Sequence, residues 1–165
     1  MAGERIAGRG GAEQLAIRGT EAANAVGIEQ GFGGRKQGET VDPVDAALRM
    51  IRRKAEEKEI ELVLDAAQNL PDIDADHRAI RQMILNLVSN AIKFTDRGGK
   101  ITVQVDQRGP EIYFGVTDTG IGIPAEDISR LGQPFEQVSK TKDRNTDGTG
   151  LGLALTKSFA EMHGG

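Results

Sequence analysis

Apolar residues recur at helical spacing in the middle of the chain, and this pattern predicts a long helix. From Asp76 to about Phe94 they repeat every three or four positions and form one broad stripe, with Asp76 as the predicted N-cap. The stripe consists of Ile80, Met83, Ile84, Leu87, Val88, Ala91 and Ile92. A stripe this wide indicates a helix that packs one face against a core.

The same spacing predicts two further helices. One starts at Asp42 and Pro43 and runs to about Lys58. Its apolar positions are Val44, Ala47, Leu48 and Ile51. The other follows the glycines of GTGLGLALTKSFAEMH, at the end of the sequence. Its predicted buried face is Leu153, Leu155, Thr156, Phe159, Ala160 and Met162.

Short alternating or β-prone runs predict the strands. ELVL at 61–64 is one strand, and DIDAD at 72–76 is a short extended piece. ITVQV and IYFGV, joined through QRGPE, predict an antiparallel hairpin. Residues 125–148 are polar and show only a short predicted turn at 126–131, and a loop of this length inside a domain is usually functional.

Residues 1–40 show no sustained spacing of apolar residues, either of the helical or of the strand kind. They hold ten of the 22 glycines, and we interpret them as a linker or a disordered segment. A short helix around Ala12 to Val26 could form, but Gly19 and Gly27 bound it and weaken it. We therefore expect the ordered domain to span 41–165.

Composition narrows the function classes. A chain of 165 residues has the size of one domain, and its net charge of -4 offers no general attraction to nucleic acid or to an anionic membrane. It has no cysteine and two histidines, which excludes disulfides and thiolate chemistry and leaves too few ligands for a typical histidine metal site. No apolar run approaches membrane-spanning length, and the stretch MAGERIAGRGG lacks the apolar segment that a signal peptide would have. We expect a soluble cytoplasmic chain, whose parent protein could be membrane-anchored.

Three polar side chains share one edge of the long helix. Asn86, Asn90 and Lys93 are spaced by four and three, so these residues, the asparagine strip, can face one ligand. An amide oxygen can complete the shell of a hydrated Mg²⁺, and a lysine can neutralise phosphate. The alternative is a polar rim on a half-buried helix.

The segment DTGIGIP places an acid and bare backbone at the end of a predicted strand. In this Asp118 turn, residues 118–122, the carboxylate could accept a hydrogen bond from the amino group of adenine. Gly120 and Gly122 would let a flat ring approach the backbone. The alternative is an ordinary glycine turn.

The segment GTGLGL, residues 148–153, stands at a predicted helix entrance. Free amide groups and the helix dipole favour an anion there, and glycines leave room for phosphate. It matches neither the dinucleotide fingerprint nor the P-loop, and a flexible helix entry is the alternative.

Together, in this order, the segments resemble the sensor histidine kinases. NLVSNAIKFT at 86–95 resembles their asparagine box, DTGIGIP their first glycine box, PFEQ at 134–137 their phenylalanine box and GTGLGL their second glycine box. The resemblance covers 41–165 and implies the Bergerat ATP-binding fold, an α/β two-layer sandwich in which helices cover one face of a mixed sheet. Family members continue past a segment like MHGG with further strands, so the sheet could lack its C-terminal strands.

The resemblance also implies ligands and site residues. Asn90 would be the principal Mg²⁺ ligand with Asn86 beside it, Lys93 would contact phosphate, and Asp118 would bind the adenine amino group of ATP. Gly120 and Gly122 would line the base pocket. The triphosphate would lie against Gly148, Thr149, Gly150, Leu151 and Gly152.

Residues 125–147 would form a mobile ATP lid. Phe135 would anchor it, and Lys140, Lys142 or Arg144 could reach the γ-phosphate. We assign Asn86, Lys93, Lys140 and Arg144 as the catalytic residues. The sequence does not indicate which of the lid cations contacts the γ-phosphate.

The implied activity is phosphoryl transfer from ATP to a histidine of another domain. Asn86 stands where gyrase-like ATPases carry a glutamate that activates water, and an amide cannot be that base, so transfer is favoured over hydrolysis. Neither His77 nor His163 lies in the family's acceptor motif, so both are expected to be surface or helix-end histidines. The expected partners are a phosphoacceptor domain and, through it, a response regulator, with a homodimer only in the parent kinase. The alternatives are a partner-docking module without turnover and a serine kinase of the anti-sigma type.

Overall fold

Three helices cover one face of a mixed β-sheet in the computed structural model, which describes residues 12–18, 36–38, 40–124 and 151–164. In chain order the elements are β1 (Ala12–Arg18), β2 (Lys36–Gly38), α1 (Asp42–Glu57), β3 (Glu61–Ala66), β4 (Ile73–Ala75), α2 (His77–Phe94), β5 (Lys100–Arg108), β6 (Glu111–Asp118) and α3 (Gly152–Met162). The larger sheet has the order β1-β6-β5-β3, and β2 pairs with β4 in a second sheet. This is the predicted α/β two-layer sandwich.

The sheet is mixed because β3 and β5 are parallel, while β6 is antiparallel to both of its neighbours, β1 and β5. A parallel pair needs a crossover, and here α2 provides it between β3 and β5. On β5, Ile101, Val103 and Val105 alternate toward the helices and are fully buried. The predicted alternation of this strand is therefore confirmed.

The core lies between α2 and the sheet. All seven residues of the predicted α2 stripe are buried, and so are the four apolar positions predicted for α1. Asp76 caps α2 as predicted, since its side chain accepts hydrogen bonds from the amides of Arg78, at 2.8 Å, and Ala79, at 3.3 Å. The periodic pattern thus placed both helices and their buried faces correctly.

The predicted hairpin is β5 and β6, joined by Gly109 and Pro110. Arg108 pairs with Glu111 across the two-residue loop. Gly109 has a φ of 61°, and proline holds the next φ negative, which is the combination of a type II′ turn. This turn matches the twist of the strands and sets the register that brings Asp118 to the end of β6.

Two predictions for residues 1–40 were wrong where the structure describes them. Ala12–Arg18 is a strand that pairs with seven of the eight residues of β6 instead of a linker or part of a helix, and Lys36–Gly38 pairs with β4. The sequence AEQLAIR has no strong preference for either a helix or a strand. Its conformation was therefore determined by pairing with the otherwise open edge of β6. The other residues of 1–40, except Thr40, lie outside the described residues.

The predicted buried face of α3 is too wide. Thr156 and Ala160 are buried, and Leu153 and Phe159 pack partly against the core. Leu155 and Met162 are instead 48% and 47% exposed. Thr156 and Ala160 lie one turn apart on the buried side of α3. Leu155 and Met162 lie about 100–120° around the helix from Thr156, so they are left at the surface.

Among the helices of the described ranges, none combines the length and the apolar character needed to cross a membrane.

Candidate functional site

The asparagine strip runs along α2 from the start of α3 to the Asp118 turn. Its first member, Asn86, contacts α3, and the helix end beside Lys93 contacts Gly120. Asn86 and Phe94 are eight residues apart, or about 12 Å along the axis at 1.5 Å per residue. The helix therefore holds the two predicted glycine segments at opposite ends of one polar strip.

Asn86 joins α2 to α3 through its side-chain amide. The nitrogen donates to the carbonyl of Gly152, at 3.2 Å, and to the hydroxyl of Thr156, at 3.4 Å. The oxygen accepts a hydrogen bond from Gln82 at 2.9 Å. Thr156 in turn donates to the same Gly152 carbonyl at 2.9 Å. In this arrangement Asn86 positions the first turn of α3.

Asn90 and Lys93 differ from Asn86 in their contacts. The half-buried side chain of Asn90 makes no hydrogen bond to any residue within the described ranges. Its oxygen is therefore available to a ligand. The ammonium group of Lys93 lies 5.1 Å from the centre of the Phe94 ring.

The start of α3 offers backbone amides. Leu151 is the N-cap residue, and it makes no side-chain capping hydrogen bond. The first amides of an α-helix have no partner within the helix, so they favour an anion when no side chain caps them. This end of α3 lies beside Asn86, whose side chain donates to the carbonyl of Gly152.

The Asp118 turn places its carboxylate at the end of β6. Asp118 is half-buried and accepts a hydrogen bond of 2.7 Å from the amide of Gly120. Burial raises the pKa of the Asp118 carboxyl, and the Gly120 hydrogen bond, which favours the ionised form, offsets part of the shift. Three residues later, in the same turn, the apolar side chain of Ile121 is 46% exposed. A partly desolvated acceptor in a turn with an exposed apolar side chain suits a flat ring with an amino group.

The two glycines of the turn are required for different reasons. A Cβ on Gly120 would lie 2.5 Å from the carbonyl oxygen of Phe94, so a side chain would push the turn away from α2. The amide of Ile121 donates to that same carbonyl at 3.3 Å. Gly122 has a φ of 70°, and none of the described residues lies within 4 Å of a Cβ placed on it, so glycine is needed there for the backbone conformation.

A contact that the sequence did not indicate fixes the end of α2. The ammonium group of Lys58, at the end of α1, donates to the carbonyls of Ile92, at 2.7 Å, and Lys93, at 3.1 Å. No motif or spacing marks this lysine, because the two helix ends are brought together only by the packing of α1 on α2.

Several predicted site residues lie outside the described residues. They are Phe135, Lys140, Lys142, Arg144, Gly148, Thr149 and Gly150. The predicted lid, residues 125–147, lies outside them too, so its assignments stay predictions.

Both histidines lie away from the asparagine strip. His163 follows α3, and its ring connects two helices: Nδ1 donates to the carbonyl of Phe159 at 2.7 Å, and Nε2 accepts from the amide of Asp76 at 3.1 Å. His77 begins α2, and its buried Nε2 has no partner among the described residues. The helix-end positions predicted for the two residues are confirmed.

A surface depression at the amino ends of α1 and α2 also contains His77. It lies at the opposite end of α2 from Lys93, so it is separate from the predicted site. Its lining residues are Asp42, Pro43, Ala46, Arg49, His77, Arg78 and Arg81.

Comparisons with known proteins show which family the chain belongs to. Residues 75–165 match the family described as histidine kinase-, DNA gyrase B-, and HSP90-like ATPase. A relative from Caulobacter vibrioides, the non-motile and phage-resistance protein, is 52% identical over 128 residues, or 75% of this chain and 15% of the relative. The histidine protein kinase DivJ of the same species is 44% identical over 124 residues, or 75% of this chain and 21% of that kinase.

Among solved structures, full-length ShkA in complex with AMPPNP is similar, with a TM-score of 0.67 and 28% identity over 86% of this chain and 27% of that one. The chain thus spans about a fifth or less of the length of the two curated relatives. The family match covers more than half of the chain and contains the asparagine strip, the Asp118 turn and α3. The chain therefore belongs to the histidine kinase-, DNA gyrase B-, and HSP90-like ATPase family, and its relatives within it include histidine kinases.

Proposed function

We propose that this chain binds Mg²⁺ and ATP and is the catalytic part of a protein-histidine kinase of a two-component system. The observation that carries the proposal is the half-buried Asp118 carboxylate, held at one end of a polar strip whose other end meets the start of α3, where the N-cap residue Leu151 makes no side-chain capping hydrogen bond. A nucleotide needs these features in this order: an acceptor for the base, polar groups along its length and amides for its phosphates. The AMPPNP in the similar ShkA structure supports ATP as the nucleotide.

Asp118 would select the base. Its raised pKa reflects the loss of water around the carboxylate, and an exocyclic amino group would replace part of that hydration. Ile121 would contact the ring. Gly120 and Gly122 have no side chains, so the ring could approach the backbone closely. The adenine specificity would then come from one carboxylate rather than from a network.

The residues present fit a hydrated magnesium ion. The Asn90 oxygen is a hard ligand with no competing hydrogen bond from the described residues, and Asn86 is one turn away. Among the described residues no cluster of three acidic or histidine side chains could hold a metal alone, so the ion would rely on water and phosphate oxygens. When bound, Mg²⁺ would neutralise charge on the phosphates.

The remaining residues would position the phosphates. Lys93 would contact the phosphates as a point charge. The first amides of α3 would donate hydrogen bonds to a phosphate at the positive end of the helix dipole. Asn86 would hold that helix end in place, with Gly148, Thr149, Gly150, Leu151 and Gly152 around the triphosphate. Phe135 and the lid cations Lys140, Lys142 and Arg144 would complete the site.

The chain's task would be to hold ATP while a histidine of a separate domain attacks the γ-phosphate in line. Phosphoryl transfer depends mainly on positioning and charge stabilisation, which these residues supply without a general base at position 86. The partners would be a phosphoacceptor domain and, after it, a response regulator. The cytoplasm is the compartment where this reaction would occur.

Calorimetry with AMPPNP tests the nucleotide site. We expect binding that depends on Mg²⁺ and that Asn90→Ala weakens at least about tenfold, the loss expected for one metal ligand or charged hydrogen bond. Ser89→Ala, at an exposed position next to Asn90 on α2, is the matched control and is expected to bind as the wild type.

A folded chain that does not bind AMPPNP with Mg²⁺ would contradict the proposal and favour a docking module. If binding is found, adding an acceptor domain from a histidine kinase and radiolabelled ATP tests the transfer. Acid-labile, base-stable label on that domain is expected, whereas hydrolysis without labelling would favour an ATPase.

A further inference from the structure

We infer that Lys58 is a positioning residue of the nucleotide site: it fixes the carboxyl end of α2, which carries Lys93 and receives the Asp118 turn. The inference rests on the proposed nucleotide binding. It concerns a residue outside the four motifs, 28 positions before Asn86 in the sequence.

The backbone at Lys58 is itself fixed by the end of α1. Helix α1 ends in a Schellman motif, in which the amide of Ile60 donates to the carbonyl of Ala55 and the amide of Glu59 to that of Glu56, both at 2.9 Å. Glu59 takes the left-handed conformation with a φ of 54°, and Ile60 is buried. Lys58 is the C-cap residue of this motif, so its side chain extends from a backbone position that the hydrogen bonds hold fixed.

The ammonium group of Lys58 satisfies two carbonyls that α2 leaves free. The last four carbonyls of a helix have no partner within it, and those of Ile92 and Lys93 accept from Lys58 at 2.7 and 3.1 Å. The positive charge also stands at the negative end of the α2 dipole. Because Lys58 is half-buried, these charged hydrogen bonds are less screened than surface pairs.

The next carbonyl along α2 holds the Asp118 turn. The Phe94 oxygen accepts from Ile121 and lies so close to Gly120 that no side chain fits between them. The three consecutive carbonyls of residues 92, 93 and 94 therefore connect Lys58, α2 and the turn. A shift of the helix end would move Lys93 and the carboxylate of Asp118 relative to each other.

Lys58→Met tests the inference, because methionine keeps the apolar stem and removes the donors. We expect the folded variant to bind AMPPNP with Mg²⁺ about tenfold more weakly than the wild type, the effect of losing charged hydrogen bonds that hold a site in place. Lys58→Arg, which can still donate to both carbonyls, is expected to restore most of the affinity. Lys54→Met, one turn earlier on α1 at an exposed position, is the control and is expected to bind as the wild type.

A second readout does not depend on the nucleotide. In ¹H–¹⁵N spectra without ligand, Lys58→Met should shift the amide signals of Gly120 and Ile121, whereas Lys54→Met should leave them in place. If Lys58→Met does not fold, Lys58→Gln, which removes the charge and shortens the side chain, replaces it in both measurements.

The outcomes separate this inference from the proposed function. Unchanged Gly120 and Ile121 signals, or a folded Lys58→Met chain with wild-type affinity, would overturn the role of Lys58. If the wild-type chain itself does not bind AMPPNP, the proposed function fails, and the shifts of the two amides alone then decide whether Lys58 positions the turn.

Discussion

At the scale of single residues, the site depends on a few groups held in costly positions. Asp118 keeps its carboxylate half-buried, and Gly120 lies against a carbonyl that excludes any side chain. The half-buried carboxylate lowers the stability of the chain without ligand, and the close contact at Gly120 restricts that position to glycine. Neither feature improves the packing of the core. Such positions are typical of ligand sites, where groups are placed for a partner that is not part of the fold.

The Asp118 carboxylate gives a prediction about pH. Because burial raises the folded-state pKa of Asp118 above that of the unfolded chain, the folded state binds this proton more tightly. The stability that the protonated group contributes is present at low pH and is lost as the pH rises through the folded-state pKa. Asp118→Asn removes this loss, so the unfolding free energy of the variant should increase relative to that of the wild type from about pH 4 to about pH 7.

Urea denaturation of both chains at the two pH values measures this difference. Asp65→Asn, at an exposed position of the same sheet, is the control for replacing an aspartate of this sheet by asparagine. In the same preparations, Asp118→Asn should weaken AMPPNP binding. A wild-type chain that gains stability relative to the variant as the pH rises would show that the hydrogen bond from Gly120 outweighs burial.

At the scale of elements, α2 is the helix that contacts both other helices and the strands β5 and β6. Its amino end is capped by Asp76, its middle joins α3 through Asn86, and its carboxyl end meets Lys58 and the Asp118 turn. Helix ends carry unsatisfied amides and carbonyls, so each end is a natural place for such contacts. The length and register of α2 therefore set the geometry of the site.

The N-cap of α2 gives the second prediction. Asp76 is 7% exposed and satisfies two amides, so Asp76→Ala should lower the free energy of unfolding by about 1 kcal/mol, while Asp76→Ser, which can cap the same amides, should lose much less. Chemical denaturation at neutral pH measures both. Equal losses for the two variants would mean that the charge of Asp76, and not its capping hydrogen bonds, stabilises α2.

At the scale of the whole molecule, β1, near the start of the sequence, pairs with β6, the strand that ends at Asp118. It pairs with β6 over seven residues, from Ala12 opposite Thr117 to Arg18 opposite Glu111. Without it, β6 would be an edge strand with free backbone groups directly before Asp118. The strand therefore covers the edge from which the Asp118 turn leaves the sheet.

Deleting residues 1–18 should expose that edge. We expect the midpoint of thermal unfolding to fall by at least about 5 °C and the chain to self-associate more readily, because an uncovered strand edge is a template for pairing. Thermal unfolding followed by circular dichroism, together with light scattering, measures both effects. Deleting residues 1–8 keeps β1 and is the control. If the two deletions behave alike, the pairing of β1 contributes little to the fold.

The sequence by itself determined the elements whose information is local. The stripes of α1 and α2, the cap at Asp76 and the β5–β6 hairpin all follow from periodicity, capping and turn chemistry within short stretches, and the structure agrees with each. The ordered motifs likewise predicted the fold and the family. These signals depend on neighbours in the sequence, so they can be read without knowing the packing.

Only the tertiary structure decided the features that depend on distant residues. Ala12–Arg18 became a strand because β6 offered an open edge about 100 residues later, and Leu155 and Met162 stayed at the surface because α3 buries a narrow face. In the same way, Lys58 meets α2, and Gly120 meets Phe94, only after the helices pack on the sheet. Packing brings together residues that no local period relates, and that is where the positioning of this site is determined.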